Sequence, residues 1–423
     1  AAFIERLGLG GPYSGRNPTR DLPELTAKIR TRVNELRVIA PGFASKNREG
    51  QEGYEETRVL NGGPSERAWI DGIQNLSLAV QELRDWLLAA ASTAEQKKHP
   101  KTDPLLDLLA NAAERFSSFA ERIEKSIPPS DPTEETANFL RLLHWEPREQ
   151  IWKVSAQPID VSKIAAPFFQ NMESVVLTSA TLSSGPNPTF VTDRIGLTLS
   201  EKPIQLPSPY SLERQAMVLI PSGLPQPGTL AHVDSMVQFT AQVARELQGR
   251  TLLLVSSNRR LRYAADALRT LLEPEGITVL DSLSDRRASE VFKTTERALL
   301  VGGERYGEGL DIPGRARACV ILEKINEAMT RGPLAEARKA RTKFALYDYD
   351  FPLRMIWLKQ RIGRLIRSPT DTGAIVIYDS RFHQWSPSSK NQVIRSVMPI
   401  PVRGGDTHEM LDLIRSLKGT LLR

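Results

Sequence analysis

Gln360-Arg361-Ile362-Gly363-Arg364-Leu365-Ile366-Arg367 sets a glutamine, a glycine and two arginines in the pattern Q-x-x-G-R-x-x-R. On a helix, residues three apart face the same way, so Arg364 and Arg367 would project side by side. Gly363 would let another backbone come close. Two adjacent guanidiniums suit a triphosphate, which they grip bidentately while offsetting charge as the γ-phosphoryl leaves. The competing reading is a basic, solvated helix face. The chain carries a net charge of only +6, yet residues 331–367 hold ten Lys/Arg against three Asp/Glu. One basic segment on a nearly balanced chain points to a polyanion, nucleic acid or nucleotide.

Three more runs could bear chemistry. Leu177-Thr178-Ser179-Ala180-Thr181-Leu182 follows an apolar run. Its hydroxyls can relay hydrogen bonds from a nucleotide site, or simply form a Ser/Thr turn. Leu254-Val255-Ser256-Ser257-Asn258-Arg259-Arg260 reads as a strand entering a helix. Ser256, Ser257 or Asn258 would cap that helix, and its N-terminus is also an anion site. Arg305-Tyr306-Gly307-Glu308-Gly309-Leu310-Asp311-Ile312-Pro313-Gly314 packs three glycines, a proline and two carboxylates into one loop. The glycines could admit a phosphate backbone, and Asp311 could bind a ribose hydroxyl or orient an arginine; a tight surface turn is the alternative.

The elements that must position these groups fall into two regimes. The first 145 residues read as helices. Leu25, Ile29, Val33 and Leu36 form one apolar stripe, Trp69 to Leu87 a second, and Leu105 to Ile123 a third. From residue 150, short β-rich runs take over: Ser174 to Leu177, Met217 to Ile220, Thr251 to Val255, Ile277 to Leu280, Ala298 to Val301, Ala318 to Leu322 and Ala374 to Tyr378. Most lack alternation, which suits strands buried on both faces, and helical patterns separate them. The expectation is an α/β fold with a parallel sheet. No run approaches eighteen apolar residues, so no membrane span is expected. A single cysteine, Cys319, allows no disulfide within the chain and no metal cluster by itself, and it fits a cytoplasmic setting.

In order and context, Thr-Ser-Ala-Thr-Leu, Ser-Ser-Asn, Gly-Glu-Gly-Leu-Asp and Q-x-x-G-R-x-x-R resemble motifs III to VI of a superfamily 2 helicase. Pro158-Ile159-Asp160-Val161-Ser162, Ser208-Pro209-Tyr210 with Gln215-Ala216, Pro333 to Arg338, and Gly363 to Ser368 look specifically like the DinG branch, related to XPD. The resemblance covers about residues 150–385. It implies a RecA-like α/β domain preceded by an all-helical arch-like insert. The expected domains are 1–148 (the insert), 149–205 (the end of a first RecA-like domain) and 206–423 (a second RecA-like domain).

The resemblance also implies roles. Arg364 and Arg367 would be arginine fingers, with Gln360 on the γ-phosphate side and Gly363 between them. Glu308, Gly309 and Asp311 would lie where ATP and DNA sites communicate. Thr178, Ser179 and Thr181 would couple hydrolysis to strand movement. Ser256, Ser257, Asn258, Arg259 and Tyr306 would face DNA. ATP and Mg²⁺ would be the cofactors, and single-stranded and forked DNA the partners, with recruitment by other nucleic-acid-processing proteins. The implied activity is 5′→3′ translocation on single-stranded DNA.

The sequence departs from the family in holding no G-x-x-x-x-G-K-[ST] and no Asp-Glu-Ala-His. The expectation is a piece of a longer enzyme, inactive as an ATPase by itself. Any iron–sulfur cluster would then belong to the intact protein. The alternative is a non-catalytic, nucleic-acid-binding or regulatory protein retaining half of a helicase fold.

Overall fold

The structure, a computed structural model, describes residues 18–39, 56–96, 104–129, 131–146, 151–179, 181–182, 188–199, 203–204, 206–303, 306, 318–325, 330–363, 365–366 and 368–421. The chain divides into two compact units, Ala1–Asp160 and Val161–Arg423.

In the first unit the three apolar stripes form three helices, Pro18–Ile39, Arg67–Gln96 and Pro104–Ser126. Their apolar faces meet in two small cores, one around Leu83, Trp86 and Leu109, the other around Trp69, Ile73, Val80 and Ile123. The unit is not all-helical. Strands β1 (Glu56–Val59), β2 (Phe139–Glu146) and β3 (Ile151–Pro158) form an antiparallel sheet in the order β1-β2-β3. β1, Glu-Thr-Arg-Val, is a strand because Leu142 to Trp145 lie opposite it. Its own composition carries little strand signal.

The second unit is a seven-stranded, all-parallel sheet. Its strands are β4 (Ala216–Pro221), β5 (Thr251–Val255), β6 (Thr278–Asp281), β7 (Ala298–Gly303), β8 (Cys319–Leu322), β9 (Gly373–Ile377) and β10 (Val402–Gly405). Their order is β10-β4-β9-β8-β5-β7-β6. Successive residues of a strand point to opposite faces, and here each face has its own core. Leu253, Val255, Leu299, Val301, Ile321 and Val376 enter one, with helices Leu230–Glu246, Asn258–Leu272 and Thr407–Leu421. Leu252, Leu254, Leu300, Val320, Leu322 and Ile377 enter the other, with helices Ala288–Thr294, Phe351–Ile362 and Pro387–Val397. Burial on both faces explains why these strands read as unbroken apolar runs.

Two further expectations fail. Ser174 to Leu177 is not a strand: Val176 is 88% exposed, and a strand needs a neighbour to accept its backbone hydrogen bonds. The helix bearing Gln360 stops at Ile362. Leu365 and Ile366 follow in non-helical backbone, buried in the second core, and Gly363 is the weakest helix former of the run.

Candidate functional site

In a parallel sheet the ligand crevice opens where adjacent strands send their chains to opposite faces. That happens twice among the described residues. β5 leads to helix Asn258–Leu272 on the first face, while its neighbour β8 is followed by helix Phe351–Ile362 on the second. β4 leads to helix Leu230–Glu246 on the first face, while its neighbour β9 leads to Pro387–Val397 on the second. β8 and β9 adjoin, so the two openings share one stretch of the carboxyl edge.

Buried charge lines that stretch. Glu323, one residue beyond β8 and 1% exposed, accepts the Ser256 N–H (2.6 Å) and Oγ–H (2.7 Å) on Oε2, and Arg260 Nη1 (2.8 Å) on Oε1. Asp379, two residues beyond β9 and fully buried, accepts the Ile325 N–H (3.1 Å) and both Nε (2.9 Å) and Nη2 (2.8 Å) of Arg381. Charge-assisted, multiply anchored contacts of this kind fix a guanidinium's position. Each arginine side chain stays about a quarter exposed, 25% for Arg260 and 24% for Arg381. The edge therefore presents two rigidly held arginines whose carboxylate partners lie inside, an arrangement suited to a phosphodiester.

Behind them, fully buried His232 donates Nε2–H to the Tyr378 carbonyl at 3.0 Å, and Tyr378 Oη shares a 2.7 Å hydrogen bond with Ser235. Burial lowers the His232 pKa; the Tyr378 carbonyl, Glu323 and Asp379 only partly oppose it.

The sequence-derived candidates meet different fates. Ser257 caps helix Asn258–Leu272, its Oγ accepting the Arg260 N–H, while Ser256 is drawn onto Glu323. Ser257, Asn258 and Arg259 remain exposed at the helix N-terminus beside β5. Tyr306 lies partly buried against the second core, directly over Gly302, and burial raises its pKa. Thr178 and Ser179 are exposed, and Ser179 Oγ accepts the Thr181 N–H at 3.2 Å, which is the Ser/Thr turn. Gln360 is half-buried in the last turn of its helix, next to Lys359, whose pKa burial lowers. Gly363 is exposed; the Lys359 carbonyl is its close neighbour, with no second segment among the described residues. Arg361 packs inside, its guanidinium 3.8 Å from the centre of the Trp357 ring. Glu308, Gly309, Asp311, Arg364 and Arg367 lie outside the described residues.

Residues 240–399 match the family described as the helicase C-terminal domain. The chain is 26% identical over 343 residues to the 3′-5′ exonuclease DinG of Bacillus subtilis, covering 76% of this chain and 36% of that protein. It is 30% identical over 217 residues to the ATP-dependent DNA helicase YoaA of Escherichia coli, covering 50% of this chain and 34% of that protein. Residues 240–399 thus carry a helicase C-terminal domain, and the chain is similar to the DinG and YoaA helicase relatives. It spans well under half the length of these curated relatives. Among solved structures, S. tokodaii Xpd4 aligns over 95% of the chain and 70% of its own, with 15% identity and a TM-score of 0.48.

The helicase-domain match encloses the anchored pairs Arg260–Glu323 and Arg381–Asp379, which sequence reasoning missed. Their signal was a carboxylate set within two residues of an apolar strand's end, in Val320-Ile321-Leu322-Glu323 and Ile375-Val376-Ile377-Tyr378-Asp379. Those carboxylates are already engaged by arginine and backbone donors. Among the described residues no group of three or more acidic, His or Cys side chains could hold a metal ion.

Proposed function

We propose that the intact protein is an ATP-dependent DNA helicase that moves 5′→3′ along single-stranded DNA in the cytoplasm, with forked DNA as substrate. In this reading the chain supplies three parts: an arch-like insert, the end of a first RecA-like domain and a second RecA-like domain. The supporting observation is one coincidence. The segment that matches a helicase C-terminal domain also holds five of the seven parallel strands, β5 to β9, with the edge that carries the anchored arginines and the Ser257-capped helix start. Arg364 and Arg367 act as arginine fingers with Gln360 and Gly363. Glu308, Gly309 and Asp311 link ATP to DNA. Thr178, Ser179 and Thr181 couple hydrolysis to movement, and Ser256, Ser257, Asn258, Arg259 and Tyr306 serve the DNA side. The P-loop lysine and the Mg²⁺-holding carboxylate come from polypeptide other than these 423 residues.

The test is DNA-stimulated ATP turnover and unwinding by the intact protein on 5′-tailed and 3′-tailed duplexes. Arg364→Ala or Arg367→Ala is expected to cut turnover about 10³-fold or more with little loss of DNA affinity. Preference for the 3′-tailed duplex overturns the polarity. DNA binding without any ATP turnover favours the second reading, a non-catalytic binding protein, for which the absence of G-x-x-x-x-G-K-[ST] in this chain speaks.

A further inference from the structure

Just before helix Phe351–Ile362 the chain makes a wide π-helical turn, Ala345–Asp350. Such turns are rare and recur at functional sites. Asp348 holds this one at its head: its Oδ2 accepts the Phe344 N–H at 2.8 Å, while the Phe344 carbonyl accepts the N–H groups of Tyr347 (3.0 Å) and Asp348 (2.8 Å). The result brings two rings to the surface, Phe344 at 57% and Tyr347 at 44% exposure.

The Tyr347 ring is held in place by packing. Tyr347 stacks on Phe351 at 6.1 Å between centroids and 14° between planes. Phe351 is 2% exposed and meets Trp385 edge-on at 5.7 Å. Tyr347 is thus the outermost ring of an aromatic column rooted in the second core. Lys343 Nζ lies 5.4 Å from the Phe344 ring centre, and Arg341 is exposed just upstream. Residues 331–344 carry five Lys/Arg against one Glu.

We propose that Phe344 and Tyr347 form a shelf on which bases of single-stranded DNA stack, with Arg341 and Lys343 taking the adjoining phosphates. Every base has an apolar π-face, so rigid rings interleaved with cations bind single strands without reading sequence. Charge complementarity selects this occupant: residues 331–350 carry five Lys/Arg against Glu336, Asp348 and Asp350, and Arg341 and Lys343 stand beside the exposed rings, which suits a polyanion. The shelf caps one end of the helix whose last turn holds Gln360. That helix is twelve residues, about 18 Å, long. This inference rests on the nucleic-acid reading of the chain and adds a specific contact to it.

The experiment uses the whole chain and fluorescence anisotropy with labelled oligo(dT) and a matching abasic oligonucleotide, at about 50 and about 200 mM salt. Phe344→Ala and Tyr347→Ala are each expected to weaken oligo(dT) binding about fivefold or more, leaving abasic binding unchanged. Tyr347→Trp restores the affinity. Lys343→Ala weakens both ligands and lowers the salt slope. Circular dichroism checks that each variant is folded. If oligo(dT) binds with steep salt dependence but the ring variants bind it like the wild type, the shelf is wrong and the nucleic-acid reading stands. The shelf is also overturned if the ring variants lose oligo(dT) and abasic binding alike. If the wild-type chain binds neither ligand at low salt, the nucleic-acid reading fails and takes the shelf with it.

Discussion

His232 shows how one residue's chemistry is decided by its neighbours. Its Nε2–H is committed to the Tyr378 carbonyl, and its buried Nδ1 has no hydrogen-bond partner among the described residues. Protonation would place a charge and a second N–H where neither is solvated. The folded-state pKa is therefore held below the ordinary value of 6.5. Once the pH drops below 6.5, the unfolded chain binds a proton that the folded chain refuses, so stability falls as the pH falls. His232→Gln keeps a donor for the carbonyl and cannot titrate. Its melting temperature is expected to decline less than the wild type's between neutral and mildly acidic pH. Parallel melting curves for the two proteins across that range would remove His232 from the acid sensitivity. Sequence gave no access to this, because a lone histidine in Ala-His-Val-Asp carries no partner's address.

At the scale of elements, the loop closing the arginine run is held from far away in the chain. Gln215 is buried at the foot of β4, and its Nε2 donates to the carbonyls of Ser368 (2.9 Å) and Asp371 (2.8 Å). Ser368 in turn gives its N–H and Oγ–H to the Asp371 carboxylate. Gly363 thus follows the end of a helix, and Ser368 is tied down by this staple. Gln215→Ala is expected to cost about 1–3 kcal/mol in denaturant unfolding, the usual penalty of stranding buried carbonyls. Gln215→Glu should cost more, since a carboxylate donates nothing and faces two oxygens. In the helicase proposed above, ATP turnover is expected to fall beyond what the loss of folded protein explains. An unchanged denaturation midpoint for Gln215→Ala would show that the staple is idle. The sequence marked Gln215-Ala216 through its resemblance to the DinG branch, but the loop it holds lies more than 150 residues away.

Over the whole molecule, the two units have separate cores. Trp69, 2% exposed, belongs to the core of residues 1–160. Trp69→Ala removes a large side chain from that core and is expected to cost about 3–5 kcal/mol there. Scanning calorimetry should show one transition moving down while another, from the 161–423 sheet unit, stays in place. A single transition that shifts as a whole would mean that the units unfold as one.

The helices of the first unit and six of the seven parallel strands were legible from residue order alone. The reason is local: a stripe at helical spacing, or an apolar run buried on both faces, can satisfy itself in only a few ways. β10, Val-Arg-Gly-Gly, and β1, Glu-Thr-Arg-Val, were not legible, because edge strands owe their state to a partner's backbone and not to their own side chains. The motif runs were visible as types at spacings, and the resemblance to the DinG branch rests on them. Which hydroxyl caps and which is drawn inward, which arginines are anchored, and where the helix before Arg364 stops were settled only by packing. Each of those outcomes is fixed by a group distant in sequence: Glu323 for Ser256 and Arg260, Asp379 for Arg381, and the second core for Leu365 and Ile366.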